Sequence, residues 1–488
     1  MPAASDFLRS TASRKRQSAF AAIACVVAIA PAFILSMPVA AIAIGLLPLA
    51  VVFALGFPFV VCLGFVIFSF FRIHEVFPVL IPLHIPQALA IGALAVLGWH
   101  VVLKKSIQVF WPRELTAFAV LFVLVTIGMF FASNKPVAFA YWTDTYVKIG
   151  TMTVAIVWLT RRPIDFAVAA HAIVLAGVLV ACVTLYNKVE GIGLVEGTRV
   201  TIGRDIQSVL GDPNDLSLVL LFPLSFAGAI AVQRIGVLSA LLGIVGASLI
   251  AAAIIATQSR GGLLGIVVVS GIIGARLVNS KITLFVIGGL AALVLFAAAG
   301  ISDRSSGGAG ESGIDESSMG RIYAWGAAIH MATARPLTGV GINNFVSNYY
   351  AYSEHWDGHN HAVHSTWFGV LAETGFPGLI SFIVMIVMMV STSIKSNRIL
   401  AAAHSAASTR AAALATLAGI AGFCMSGTFL TQGFTWPIYI LLAMTAAVGR
   451  FAQNEAKDRK PLTPAAPADG AGLPQGAAGT RLAEHFSV

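Results

Sequence analysis

The stretch IGVLSALLGIVGASLIAAAIIA, residues 235–256, holds no charged side chain. A helix of that length crosses the roughly 30 Å hydrocarbon core of a bilayer. Similar runs flank it at 214–233, 260–279 and 282–300. All are continuously apolar rather than alternating, which argues against a β-barrel. Working outward, further spans are expected at 18–37, 39–55, 57–71, 84–103, 115–132, 146–160 and 165–185, then at 367–392, 410–430 and 434–450. The expected fold is an all-α, polytopic membrane bundle of about 12–14 transmembrane helices, the uncertainty lying in the short second, third and sixth runs.

Composition agrees. Of 488 residues, 58% are hydrophobic and only 10% charged, against roughly 25% charged in soluble domains. That excludes a soluble enzyme, a disulfide-stapled secreted domain and a disordered chain. The net charge of +9 does not imply nucleic acid, because the excess sits at span edges. With a cytoplasmic N-terminus, the inner loops collect Lys104, Lys105, Arg113, Arg161, Arg162, Arg234, Arg276, Lys281, Lys395, Arg398 and Arg410, as the positive-inside rule requires. Both termini are then cytoplasmic. The expected organisation is a basic N-terminus at 1–17, spans with short loops at 18–300, a long periplasmic loop at 301–365, spans at 366–450 and a disordered Pro/Ala/Gly-rich cytoplasmic tail at 451–488. The basic start followed by an apolar run resembles a secretory signal, but the run is long and another span follows at once, so an uncleaved first helix is expected. The four cysteines fall inside apolar runs without metal-ligand spacing.

Chemistry is expected on the outer side, where the long loop lies. Its Ser/Gly-rich opening, Ser302 to Gly320, is expected to be mobile. A helical pattern follows from Arg321 to Ala334, with Ile322, Trp325 and Ile329 spaced for one face. Arg335-Pro336 and the turn Gly339-Val340-Gly341 close it. No phosphate-binding glycine loop of the GxxxxGK kind occurs, and no DxD pair.

Three places carry candidate chemistry. Arg260, in Thr257-Gln258-Ser259-Arg260-Gly261-Gly262, lies at the outer mouth of a span; it either snorkels beside the close-packing pair Gly261 and Gly265 or holds an anion. In Gly203-Arg204-Asp205 and Gly211-Asp212-Pro213-Asn214-Asp215, Asp212 or Asn214 can cap the next helix, and Arg204 is either neutralised by Asp205 or available to a ligand. His355, His359, His361 and His364 crowd one segment, with Glu373 two turns into the next span. A metal set, a plain polar loop and a catalytic base are all open. His364 is the best general base and Glu373 the best group to orient it or to meet a helix end.

Arg321-Ile-Tyr-Ala-Trp325, then Arg335-Pro-Leu-Thr-Gly339-Val-Gly341-Ile-Asn-Asn344-Phe345, then His364-Ser-Thr-Trp-Phe-Gly-Val-Leu-Ala-Glu373-Thr-Gly375-Phe-Pro-Gly378, resembles the signature region of the O-antigen ligase and Wzy-type polymerase superfamily. Ser259-Arg260-Gly261-Gly262 and Gly211-Asp212-Pro213-Asn214 resemble two earlier motifs of that family. The resemblance implies a metal-independent, inverting membrane glycosyltransferase of the bacterial inner membrane. It would move a glycan from undecaprenyl pyrophosphate to a glycan, lipid A-core or protein acceptor at the periplasmic face, with no cofactor. It implies His364 as base with Glu373, and Arg260, Arg204 and Arg321 as holders of the pyrophosphate. One departure is Ser365, where the family usually has Asn. The alternative function is a multi-pass transporter or flippase of lipid-linked or anionic substrates; a membrane scaffold would leave the loop histidines unexplained.

Overall fold

The computed structural model describes residues 22, 23, 26, 38–233, 235–298, 316–356 and 358–458. The basic N-terminus, nearly all of the first expected span, Arg234, most of the Ser/Gly-rich stretch and the tail beyond 458 lie outside the described residues. The described helices are α1 (Pro38–Gly56), α2 (Pro58–Phe70), α3 (Ile73–Val76), α4 (Ile85–Gly98), α5 (Arg113–Phe130), α6 (Lys135–Tyr141), α7 (Val147–Leu159), α8 (Pro163–Glu190) and α9 (Pro213–Val232). They continue with α10 (Val237–Ala256), α11 (Arg260–Gly274), α12 (Lys281–Ala298), α13 (Glu316–Ala334), α14 (Phe345–Tyr352), α15 (Thr366–Ala402), α16 (Ala407–Gly427) and α17 (Trp436–Asp458).

The protein is an all-α polytopic membrane bundle. Every span expected from residue 39 onward is occupied by a helix. Seven of the described helices are long and apolar enough to cross a membrane, or eight if one bent pair counts as a span. That pair is the end of α1 with α2, bent by 102°, where Pro58 stands at the first turn of α2 and cannot donate back to α1. Of the other helices at expected spans, α11 and the described part of α12 are apolar but shorter.

α9 and α16 form the centre. α9 packs on α8, α10, α11 and α16, and α15 packs on α5, α13, α16 and α17. α11 meets α9 through Gly262 and Gly265, where a Cβ would run into Ser217 and Leu221, while Gly261 faces the Ser426 carbonyl on α16. Small residues are what permit such close approach.

The two ends of the bundle differ in chemistry. At one, Arg113 donates to Ser391 and Thr392, Arg276 donates to Asn397, and Arg162 pairs with Asp165 at the start of α8. These are the loops expected on the inner side. At the other end, α5 finishes against the long loop: the Phe131 carbonyl accepts from Arg335, and the Ser133 and Asn134 backbones bond to Val340 and Asn344.

Within that loop, the expected helix after Arg321 is present as part of α13, and of the three residues spaced for one face Trp325 packs inward. Ile322 and Ile329 are exposed, and the face turned inward is Ala324, Ala327, Ala328 and Met331. Together with Val340, Phe345, Tyr349, Val363 and Ala372 they form a second small core. Alanines let α13 lie close on α15, so here packing distance rather than side-chain size selects the buried face.

Candidate active site

The site is built around a break in α15. Gly375 has φ 68° and ψ −169°, which interrupts the helix, and Pro377 follows. The carbonyls of Ala372 and Glu373, freed by the break, accept from Val340 N at 2.8 Å and Gly341 N at 3.2 Å, and Phe376 N donates to the Pro336 carbonyl at 2.9 Å. The Arg335–Gly341 turn therefore plugs the broken helix. Gly339 and Gly375 both have positive φ, and a Cβ at either would collide with a facing carbonyl, of Ala372 and Pro336 respectively. No side chain fits there, which is the physical reason the motif needs glycine at both places.

Glu373 is buried at this break. Its Oε1 accepts from the backbone N–H of Phe345 at 3.1 Å, and the amides of Asn343 and Asn344 also point to the carboxylate. It thus meets the N-terminus of α14, one of the two roles its sequence position left open, where unpaired amides favour an acceptor.

His364 stands at the end of the loop that follows α14, with φ 45°. A non-glycine residue in the left-handed region is strained, and such outliers concentrate at functional sites. Both sides of it are pinned. The preceding Val363 is buried, and its carbonyl accepts from Trp325 Nε1 at 3.2 Å; Trp325 in turn stacks on Phe368. Two residues on, Thr366 Oγ1 donates to the Leu430 carbonyl and accepts from Gln432 N. Burial lowers the imidazole's pKa below its ordinary value, with Arg321 acting in the same direction and Asp212 opposing. Ser365, at the family's usual Asn position, is buried, and its Oγ finds no hydrogen-bond partner among the described residues.

Arg260 and Arg321 approach from two other elements. Ser259 caps α11 by accepting from Gly262 N, so Arg260 is the first residue of that helix. The next residue, Gly261, lies against Phe429, and the Arg321 guanidinium sits over the Phe429 ring at 5.8 Å. Asp212 caps α9, accepting from Asn214 N at 2.7 Å and Asp215 N at 3.2 Å. The capping role considered for Asp212 is therefore real. Gly211 rests on the backbone of Arg204, whose side chain is exposed. Arg260, Arg321, Asp212 and His364 are thus gathered at one end of the bundle, with Arg204 at its edge.

Reasoning from sequence missed three cations. Arg199 donates to Asn214 Oδ1 at 2.8 Å and to the Thr257 carbonyl at 3.2 Å, tying the loop after α8 to the starts of α9 and α11. Arg72 and Lys148 line a cavity of about 720 Å³ together with His74, Asp144, Asp215 and Gln432. Phe65, Phe70, Ile91 and Leu94 form its apolar side. Arg72 pairs with Glu75 at 2.6 Å, and Ser208 donates to Glu75, coupling the cavity to the Arg204 segment. Gln432 links the cavity to the His364 end: its Nε2 donates to Asp215 Oδ1 at 2.7 Å, and its backbone N–H to Thr366. A signal did exist, since Lys148 interrupts an apolar run and an ionisable residue at membrane depth is functional by default. Next to Lys148 the helix passes through a π-turn, Trp142–Tyr146, a distortion frequent at functional sites.

Among the described residues no group of three His, Cys, Asp or Glu side chains is arranged to hold a metal ion. The loop histidines make ring contacts instead: His355 stacks on Tyr323 at 4.3 Å, and His361 meets Tyr349 edge-on at 5.3 Å.

Fold and site define a polytopic helical membrane protein with a histidine and several arginines gathered at one end of its bundle. Residues 245–383 match the family model described as O-Antigen ligase, which supports the O-antigen ligase and Wzy-type polymerase superfamily and, with it, a glycan ligase or polymerase. The matched region holds Arg260, Arg321, His364, Glu373 and both glycines of the plugged break; Arg204 lies outside it. No curated protein matches the chain.

Proposed function

We propose that the protein transfers a glycan from undecaprenyl pyrophosphate to an acceptor hydroxyl at the periplasmic face of the bacterial inner membrane. The observation that carries this reading is His364: strained, half-buried, pinned on both sides and within electrostatic reach of Arg321. The neutral imidazole accepts the proton of the acceptor hydroxyl. The acceptor oxygen attacks the anomeric carbon as the bond from that carbon to the pyrophosphate oxygen breaks, so the configuration inverts. Arg260, Arg321 and Arg204 stabilise the departing charge, the forked guanidinium being suited to phosphate oxygens. Pyrophosphate is already a good leaving group, so the reaction proceeds without a metal. The amphipathic cavity suits the donor's lipid end, with Phe65, Phe70, Ile91 and Leu94 along an isoprenoid chain and Arg72 and Lys148 toward its phosphates. Glu373 is a positioning residue, acting through α14 and the plugged break. The acceptor is a glycan, a lipid A-core or a protein hydroxyl.

The test is transfer by the purified protein, in lipid nanodiscs, from a polyprenyl-pyrophosphate glycan in the presence of excess chelator. Transfer under those conditions is the expected result. Loss on chelation, restored by one divalent ion, refutes the metal-independent mechanism.

A further inference from the structure

Beyond the catalytic end, the loop carries a series of aromatic rings that neither the fold nor the chemistry of transfer requires. Tyr350 and Trp356 are 59% and 56% exposed, with ring centroids 6.4 Å apart and planes at 60°. His355, the residue before Trp356, is exposed and stacks on Tyr323. The buried Tyr349 reaches back to the His355 carbonyl through its hydroxyl and holds His361 edge-on. His361 lies three residues before His364 in the chain. The rings therefore lead along the loop from open surface toward the base.

We infer that Tyr350, Trp356 and the Tyr323–His355 pair form a stacking platform for the glycan attached to the donor, holding sugars beyond the one being transferred. A pyranose offers apolar C–H faces and a rim of hydroxyls. An exposed aromatic ring takes the faces, and adjacent polar groups take the rim. The flanking sequence supplies such groups: from Ser353 to His361 no aliphatic residue occurs, and Ser353, Glu354, His359 and Asn360 lie within four positions of Trp356 in the chain. A membrane-interface belt also uses Trp and Tyr. Such a belt is continuous with lipid-facing aliphatic side chains; Ser353 to His361 holds none, and the exposed large aliphatic residues beside Tyr350 and Tyr323 are the single residues Val346 and Ile322.

The inference rests on the glycan-transfer reading, and its test has a readout that does not need transfer. The probe is the glycan released by mild acid from the host's own polyprenyl-pyrophosphate pool, labelled at its reducing end. Its binding to the full chain in nanodiscs is followed by fluorescence anisotropy. Tyr350→Ala with Trp356→Ala should weaken binding about fivefold or more, the scale of one or two ring contacts. Tyr350→Phe with Trp356→Phe should retain most of it. In transfer assays the alanine pair should raise KM for a donor of several repeats more than for a single-sugar donor. The Tyr350→Ala single variant keeps the test open if the double variant folds poorly. Equal glycan binding by wild type and the alanine variants, or an equal rise in KM for both donors, overturns the platform. Glycan binding that is lost in the alanine pair, in a wild type that transfers nothing, upholds the platform and defeats the transferase reading.

Discussion

Glu373 offers the sharpest test of how the loop is held. Its carboxylate is buried and serves the Phe345 amide at 3.1 Å, with the Asn343 and Asn344 amides facing it as well. A hydrogen bond to a charged acceptor contributes about 1.5–3 kcal/mol, and each buried amide left unpaired costs about 1–3 kcal/mol. Asn344 N also donates to the Gly341 carbonyl at 3.2 Å, so the three amides are not wholly dependent on Glu373. Glu373→Ala should therefore destabilise the protein by about 3–5 kcal/mol. Glu373→Gln keeps one acceptor oxygen in place and should cost about 1–2 kcal/mol. If that loss falls on loop placement, the glutamine variant turns over about tenfold more slowly, while the acid limb of its pH profile stays where it was. The assay is thermal unfolding of the nanodisc-embedded protein, followed by tryptophan fluorescence, with initial transfer rates on the same samples. A Glu373→Ala protein that melts and turns over like wild type would refute the reasoning. A glutamine variant whose acid limb moves would make Glu373 a direct partner of His364 instead.

Three further outcomes are expected. Because burial and Arg321 hold the His364 pKa below about 6.5, the base is neutral at pH 7, and kcat/KM should fall only as pH drops through that lowered value; an acid limb above 6.5 contradicts this. Arg260→Lys and Arg204→Lys keep charge but lose the fork, so donor affinity should fall about tenfold at Arg260 and less at the exposed Arg204; unchanged affinity and rate in both would remove the shared pyrophosphate site. Lys148→Met preserves length in the cavity wall while removing the charge, and should raise donor KM about tenfold with little change in kcat; an unchanged KM would take the donor out of the cavity.

The helices were legible because a bilayer-length apolar run leaves few alternatives. Residues 39–55, 214–233 and 235–256 were read within a few residues of α1, α9 and α10. The short run at 57–71 was legible as a helix but not as one arm of a bend, since the 102° turn before α2 depends on what packs beyond it. His364, Arg260 and Glu373 were legible as candidates from their places at span edges, and Arg321 from the motif order. The plug, in which the Val340 and Gly341 amides donate to the Ala372 and Glu373 carbonyls, was not, because it pairs residues from two elements. The places of Arg72, Lys148 and Arg199 were not legible for the same reason: each gains its meaning from neighbours distant in the chain, such as Arg199 from Asn214 and Thr257. Ile322 and Ile329 misled because periodicity marks a face without saying whether the neighbour needs bulk or closeness.

The central claim is that His364 is the base of a glycan transfer. The most direct measurement compares wild type with His364→Ala in nanodiscs, following both transfer from a polyprenyl-pyrophosphate glycan and binding of that donor. The account predicts that His364→Ala folds, binds the donor like wild type and loses transfer by about a hundredfold or more. Near-normal turnover by His364→Ala would contradict it.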